Sequence, residues 1–369
     1  MIRDMPKAAV LYEAGQPLRV EEVDLAPPRA GEVRVRMSAA GVCHTDYHYM
    51  KGDLPGLTPL VLGHEGAGVV EEVGPAVTRV QPRDRVVLLW RSGCGRCAYC
   101  SAGRPVLCQQ GAAMRNAGKL LDGTSRLSSG GQTLNHFLCV SCFAEATVCP
   151  ERSVLRIDDD IPMEIAALAG CAVMTGVGAA TNSARVEPGS TVLVIGAGGV
   201  GLSVVMGAGL CGAARILVAD LNPTKLEMAK ELGASDLIDV SSADLVTAVR
   251  ELTDGVDYAF EAIGRPETVT QSVRALRPGG VAVAVGVAPP SARAEISPFD
   301  LVLQEKTLKG SIYGSTRPEV DFPRLFDLYR RGRLPLERLL SRRYRLEEIN
   351  EAYEALIAGE VARSVITFR

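Results

Sequence analysis

The string "STVLVIGAGGVG", Ser190 to Gly201, constrains the fold of this chain more than any other. A run of apolar, mostly β-branched residues ending in G-x-G-x-x-G reads as a buried strand that turns tightly into the start of a helix. An apolar helical pattern follows to Cys211, and then a second apolar strand, "ARILVAD", ends on Asp220. Strand, glycine turn, helix, strand and acid together form the dinucleotide fingerprint. Gly196, Gly198 and Gly201, with Gly199 and Val200 between them, let the backbone approach a pyrophosphate at the helix N-terminus. Asp220 stands nineteen residues beyond Gly201. Its carboxylate can accept hydrogen bonds from both ribose hydroxyls and would repel a 2′-phosphate, which favours NAD over NADP. Lys225 reads either as a contact to the same ribose or as a plain surface lysine of the next helix, "NPTKLEMAKELGA", which Asn222 and Pro223 would open. Further apolar strands, "VDYAFEAIG" and "GGVAVAVGV", alternate with helices, so this part is α/β with a doubly wound parallel sheet.

The first third has a different character. "GEVRVRMSAAGVC" alternates and is expected to turn at Gly41, and "GAGVVEEVG" and "DRVVLLW" are similar short strands. With 369 residues, two domains are expected. A net charge of −3 leaves no footprint for nucleic acid and no polybasic membrane anchor. "YRRGRLPLERLLSRRYR", Tyr329 to Arg345, is arginine-rich but lacks interleaved aromatic residues for base stacking, so a solvated helical face or a partner surface is expected. Thr191 to Ala214 has no charged residue, but its glycines do not suit a lipid-facing helix. No apolar export segment follows the first charges, so a cytoplasmic, reducing setting is expected, where cysteines bind metal or do chemistry.

"CGRCAYCSAGRPVLC" then reads as a metal lobe. Cys94, Cys97, Cys100 and Cys108, spaced C-x2-C-x2-C-x7-C, can close four thiolates around a zinc ion, leaving no position for substrate. The densest cysteine motif is therefore structural. Cys43 in "GVCHTDYH", His64 in "GHEGAG" and Cys171 in "LAGCAVMTG" are unremarkable singly. Together two cysteines and a histidine supply the three-ligand set of a catalytic zinc with one open position. Thr45 and His48 follow Cys43 closely enough to carry a proton away from a metal-bound alcohol. Asp46 either orients His64 through its second ring nitrogen or caps a turn. Cys139, Cys142, Cys149 and Cys211 read as small core residues.

These strings, with "GCAVMTGVGAA" and the terminal "RSVITF", resemble the zinc-containing medium-chain alcohol dehydrogenases over essentially the whole chain. The resemblance implies a GroES-like, mostly β catalytic domain over 1–172, to which 314–369 returns, and a Rossmann NAD-binding domain over 173–313. It implies two zinc ions per chain, with Glu65 behind the catalytic one and Thr45 and His48 as proton relay. It also assigns His44 and Arg363 to the pyrophosphate, Thr175 and Val287 to the nicotinamide, and Trp90, the only tryptophan, to the substrate pocket. The segment from Gln109 to His136 resembles the longer loop of the dimeric branch, so a homodimer is expected, with a tetramer as the alternative.

The expected reaction is reversible oxidation of a primary alcohol by NAD. One rival is a formaldehyde dehydrogenase acting on glutathione or mycothiol adducts, for which Arg115 stands three residues beyond the position, here Ala112, where glutathione-dependent members place an arginine. The others are an NADP-dependent reductase and a non-catalytic NAD-binding protein.

Overall fold

The strand before the glycine turn, Thr191–Ile195, lies inside a six-stranded sheet whose order is Asp236–Asp239, Arg215–Asp220, Thr191–Ile195, Val256–Glu261, Leu276–Ala284, Thr307–Gly310. Every neighbouring pair is parallel. The first strand therefore sits next to both the second and the fourth, and the order reverses there: the doubly wound dinucleotide topology. Its apolar strands need both faces covered, and a core of Leu193, Leu217, Ala259, Val249 and Val273 covers one of them. Helix Gly199–Leu210 follows the turn, and helix Pro223–Glu231 starts as expected, with the Asn222 side chain accepting from the Thr224 N–H at 2.9 Å.

The computed structural model describes residues 5–120 and 122–368. The chain divides into two units: 1–171 with 317–327 and 336–369, and 172–316 with 328–335. The expected return of the whole of 314–369 to the first unit is therefore interrupted, because Leu328–Pro335 belongs with the second.

The first unit is mostly β. One sheet has six strands; the other has seven, built around the long strand Glu32–Val42. That strand pairs antiparallel with Glu65–Val73, Arg363–Thr367 and Ala146–Pro150. Its alternating side chains feed a core that includes Val33, Val35, Met37, Phe143, Tyr353 and Ile366. Contrary to the expected turn, the strand runs straight through Gly41 to Val42. The arginine-rich tract also departs from a helical face: helix Pro318–Arg330 ends as the tract begins, and Leu340–Tyr344 is a strand. Arg342 there pairs with Glu360, and Arg343 with Glu164. Thr191 to Ala214 is a strand followed by a helix, not a span. Among the described residues one helical stretch, Met163–Ala184, is long and apolar enough to cross a membrane, but 89% of its most apolar window is buried inside the protein.

Candidate metal centres and dinucleotide turn

Gly41 is needed for space rather than for a turn. Glu65 pairs with Gly41 on one side of the long strand, while Ser364, next to Arg363, pairs with Val42 on the other. A Cβ at Gly41 would lie 2.0 Å from Glu65 Oε2. Without one, the Glu65 carboxylate lies across the strand and accepts from the Arg363 guanidinium, 298 residues away in sequence. Both side chains are buried, at 0% and 4% exposure. The same strand delivers Cys43 at its end, where it precedes helix His44–Lys51. Cys171 lies in a widened, π-type turn, Ala169–Val173, that continues helix Met163–Leu168.

One donor atom each from Cys43, His64, Glu65 and Cys171 lies within 4.8 Å of the others, and all four residues are buried. Asp46 lies beside His64 and beneath the Gly63 backbone. Its Oδ2 stands 3.0 Å from His64 Nδ1, and its Oδ1 accepts from the Gly63 N–H at 3.0 Å. Both ring nitrogens of His64, Asp46 Oδ2 and Glu65 Oε1 are buried without a hydrogen-bond partner, the Asp46–His64 contact being an ion pair. Buried polar atoms without partners are costly. Two thiols, a free imidazole nitrogen and a carboxylate oxygen converging there fit a zinc ion. The electrostatics point the same way. A hydrogen bond from Cys171, with His64 and Arg363 nearby, holds the Cys43 thiol well below its ordinary pKa, while Cys171, donating to Cys43 and buried, is pushed up. Burial drives Glu65 up to about 7 against the pull of Arg363. Against the cost of burial, Asp46 and Cys43 hold His64 above its usual value.

Around this cluster, Trp90 and Phe137 each meet the His64 ring edge-on, with centroids 5.8 Å away. Thr45 and His48 are partly buried, three residues apart on helix His44–Lys51, so they share a face. His48 Nδ1 lies 3.0 Å from Asp53 Oδ2, while His44 is exposed.

The lobe of Cys94, Cys97, Cys100 and Cys108 also brings its four sulfurs within 4.8 Å. Cys97 Sγ is 3.5 Å from Cys100 Sγ and 3.8 Å from Cys108 Sγ, so these thiols are not disulfide-bonded. Those separations are near the roughly 3.8 Å edge of a tetrahedron with Zn–S bonds of about 2.3 Å. The sulfurs carry backbone donors: Cys108 Sγ accepts from the N–H groups of Cys94 and Gly111. N–H groups of Arg96 and Cys97 help lower the Cys94 thiol to about 6, whereas burial raises Cys100 to about 12. Cys139, Cys142 and Cys149 are core residues as expected, but Cys211, at the end of helix Gly199–Leu210, is only half-buried.

In the second unit, Gly196 has φ +97° and a Cβ at Gly201 would fall 1.7 Å from the Gly196 carbonyl oxygen, so neither tolerates a side chain. A Cβ at Gly198 would meet nothing within 4 Å, which leaves open the approach a pyrophosphate requires. Asp220 ties the turn to the strand end: its Oδ2 accepts from the Ala197 N–H at 2.7 Å and its Oδ1 from the Asn222 N–H at 2.9 Å. Lys225 is half-buried on its helix, Thr175 is 8% exposed with its hydroxyl unpartnered, and Val287 is 43% exposed. Sequence reasoning missed Glu261, fully buried at the end of its strand. Its Oε1 accepts from the N–H groups of Ile263 and Gly264 and from the Thr268 hydroxyl. An acidic residue just before "AIG" was the available signal.

A dinucleotide sheet in a chain with one four-thiolate centre and one buried Cys–His–Cys–carboxylate centre defines a metal-dependent oxidoreductase. Comparison with known proteins agrees. The alcohol dehydrogenase GroES-like domain model matches residues 29–159, and the zinc-binding dehydrogenase model matches residues 199–331. An alcohol dehydrogenase zinc-binding domain protein from Burkholderia ambifaria is 37% identical, with a TM-score of 0.94 and 99% of each chain covered. A benzyl alcohol dehydrogenase from Acinetobacter calcoaceticus is 35% identical, with a TM-score of 0.94 and again 99% of each chain covered. A zinc-binding dehydrogenase from Sinorhizobium meliloti, bound to NADP, is 30% identical, with a TM-score of 0.79, covering 99% of this chain and 100% of that one. The chain belongs to the zinc-containing, medium-chain alcohol dehydrogenase family.

Proposed function

We propose that this chain is an NAD-dependent dehydrogenase that interconverts primary alcohols and aldehydes. The observation that carries the reading is the buried cluster whose His64 Nε2 and Glu65 Oε1 lack partners beside two thiols. Cys43, His64 and Cys171 would hold the catalytic zinc, with Glu65 behind it, and Cys94, Cys97, Cys100 and Cys108 a second, structural zinc. When bound, zinc supplies Lewis acidity to the alcohol oxygen, and NAD supplies the hydride acceptor.

The chain's own residues do the rest. Asp46 fixes the imidazole of His64 so that Nε2 faces the other donors. Thr45 takes the alcohol proton and passes it outward to His48, which Asp53 anchors and which is exposed enough to release it to water. Trp90 and Phe137, edge-on to His64, exclude water and favour a flat, apolar substrate body. The similar benzyl alcohol dehydrogenase supports putting benzylic alcohols first in a substrate panel. In the second unit, Gly196, Gly198, Gly199, Val200 and Gly201 would hold the pyrophosphate, Lys225 the ribose, and Thr175 and Val287 the nicotinamide. Asp220 would accept ribose hydroxyls and repel a 2′-phosphate, which supports NAD although a similar dehydrogenase binds NADP.

The same reading makes the protein a cytoplasmic homodimer. Its support is strand Thr307–Gly310, which forms one edge of the parallel sheet and has Phe299, Val302, Leu303 and Leu308 exposed on it and beside it. A panel of primary alcohols followed at NADH absorbance, against NADP and with zinc measured on the same sample, tests the whole. Zinc-replete protein that reduces neither coenzyme with any alcohol would overturn it.

A further inference from the structure

The parallel sheet of the second unit reverses its strand order between Thr191–Ile195 and Val256–Glu261. In such sheets a ligand lies in the crevice outside the carboxyl ends of the strands, at that reversal. Glu261 is the last residue of its strand and pairs with Ile195, the last residue of the other. It is fully buried, and the glycine turn opens directly beyond Ile195.

An acid at this place works as a tie. One carboxylate oxygen, Oε1, accepts from the Ile263 N–H at 2.9 Å, the Gly264 N–H at 2.7 Å and the Thr268 hydroxyl at 2.8 Å. The main-chain carbonyl of Glu261 accepts from the N–H groups of Val285 at 2.8 Å and Gly286 at 3.0 Å, just beyond the next strand, Leu276–Ala284. The Ala262 N–H donates to the Ile195 carbonyl at 2.9 Å. Three neighbouring strand ends are thus joined through one residue and its successor. The turns that follow them meet backbone to backbone: a Cβ at Gly286 would fall 2.1 Å from the Gly264 nitrogen, and one at Gly264 would fall 2.5 Å from the Val287 carbonyl oxygen. A Cβ at Gly196 would meet Ile263 Cγ1 at 2.6 Å, so the Ile263 side chain lies against the glycine turn itself. Ile263 and Val287 are apolar yet each is 43% exposed, and both stand on the turns that Glu261 ties. The second carboxylate oxygen, Oε2, is buried with no partner, a cost that the chain carries at the reversal point of the sheet.

We propose that Glu261 is a positioning residue for the dinucleotide: buried itself, it holds Ile263 and Val287 in place beside the glycine turn and so sets how tightly the cofactor binds and how fast it leaves. Side chains already fixed before binding lose little freedom on binding, whereas those on loosened turns must be ordered at that moment. The role rests on the cofactor being a nicotinamide dinucleotide; it does not depend on the substrate being an alcohol.

The test uses the zinc-loaded enzyme, with NADH fluorescence for the equilibrium and stopped flow for the dissociation rate. In Glu261→Ala the dissociation constant for NADH should rise about tenfold, through faster dissociation, because the Ile263 and Gly264 N–H groups lose their acceptor. Glu261→Gln keeps an acceptor oxygen in place and should recover most of the affinity. With an alcohol as substrate, KM for NAD should rise while kcat at saturating NAD stays within about twofold. A role in stability alone predicts a lower melting temperature with the folded fraction binding NADH as wild type does, and that result overturns the proposal. So does tighter NADH binding by Glu261→Gln, because the carboxylate would then act by repelling the pyrophosphate. Should Glu261→Ala not fold, Glu261→Asp replaces it, since its shorter side chain cannot reach all three donors. Its expected loss is about threefold to fivefold, and a folded Asp variant with wild-type affinity and dissociation rate overturns the proposal. The predicted loss of NADH affinity in a protein that oxidises no alcohol keeps the proposal and overturns the alcohol dehydrogenase reading. Wild type that binds neither NADH nor NADPH overturns both.

Discussion

The two clusters of the first unit are built from similar donors and are finished differently. In the cysteine lobe, four sulfurs of one type come from fifteen consecutive residues, three of them partly exposed, and backbone N–H groups already satisfy Cys108. In the second cluster, sulfur, imidazole and carboxylate come from three distant parts of the chain, all are buried, and polar atoms remain without partners. A lobe of the first kind is complete once it holds a metal and can only stabilise. A cluster of the second kind keeps capacity for one more ligand, at the cost of burying charge, and that capacity is what chemistry uses. Donor number does not separate a structural from a catalytic site here; burial and unmet hydrogen-bonding capacity do.

The sharpest test of that contrast is Cys43→Ser. Turnover should fall by about a thousandfold or more, one of the two zinc ions should be lost, and NAD affinity, measured by NADH fluorescence, should survive. Retained activity would mean that the buried cluster is not the reacting centre. Next in size is Arg363→Met, which leaves the Glu65 carboxylate buried without its partner. Removing one member of a buried ion pair costs about 3–5 kcal/mol, so the melting temperature should drop well below wild type, with Arg363→Lys recovering part of it. A neutral result would show that Glu65 is protonated and indifferent to Arg363. Cys100→Ser should behave in the opposite way to Cys43→Ser. The lobe should lose its metal and the protein roughly 5–10 °C of thermal stability, while the folded fraction keeps turnover within about threefold. A loss of activity as deep as that of Cys43→Ser would erase the distinction between the clusters.

The same contrast explains what was legible in the sequence. The lobe's spacing lies within fifteen residues and the dinucleotide turn within thirty-one, so local pattern sufficed for both. Cys43, His64 and Cys171 were readable only as a chemical set, because nothing local says that strand Glu32–Val42 and the widened turn at Ala169–Val173 bring them together. Gly41 was misjudged because a glycine that makes room for a carboxylate from the neighbouring strand looks, in one dimension, like a glycine that turns the chain. The Glu65–Arg363 pair spans 298 residues, which no local periodicity announces. What escaped the sequence was long-range electrostatics, where a residue's meaning is set by what does not stand next to it.

The smallest effect is expected at His48. Unlike the four buried donors, its side chain is 26% exposed, and the Asp53 carboxylate that holds it is equally exposed, at 26%. Water can therefore reach the place where His48 hands on a proton, and water is an adequate though slower substitute for a relay group. His48→Gln should lower kcat/KM by about tenfold, roughly 1.4 kcal/mol, with both zinc ions retained. The deficit should shrink as pH is raised, because hydroxide then removes the alcohol proton without help. Wild type and variant compared across pH at saturating NAD measure this directly. A deficit as deep as that of Cys43→Ser, unmoved by pH, would place His48 among the groups that hold the reacting centre together and would break the division between a buried centre that reacts and an exposed edge that only exchanges protons with solvent.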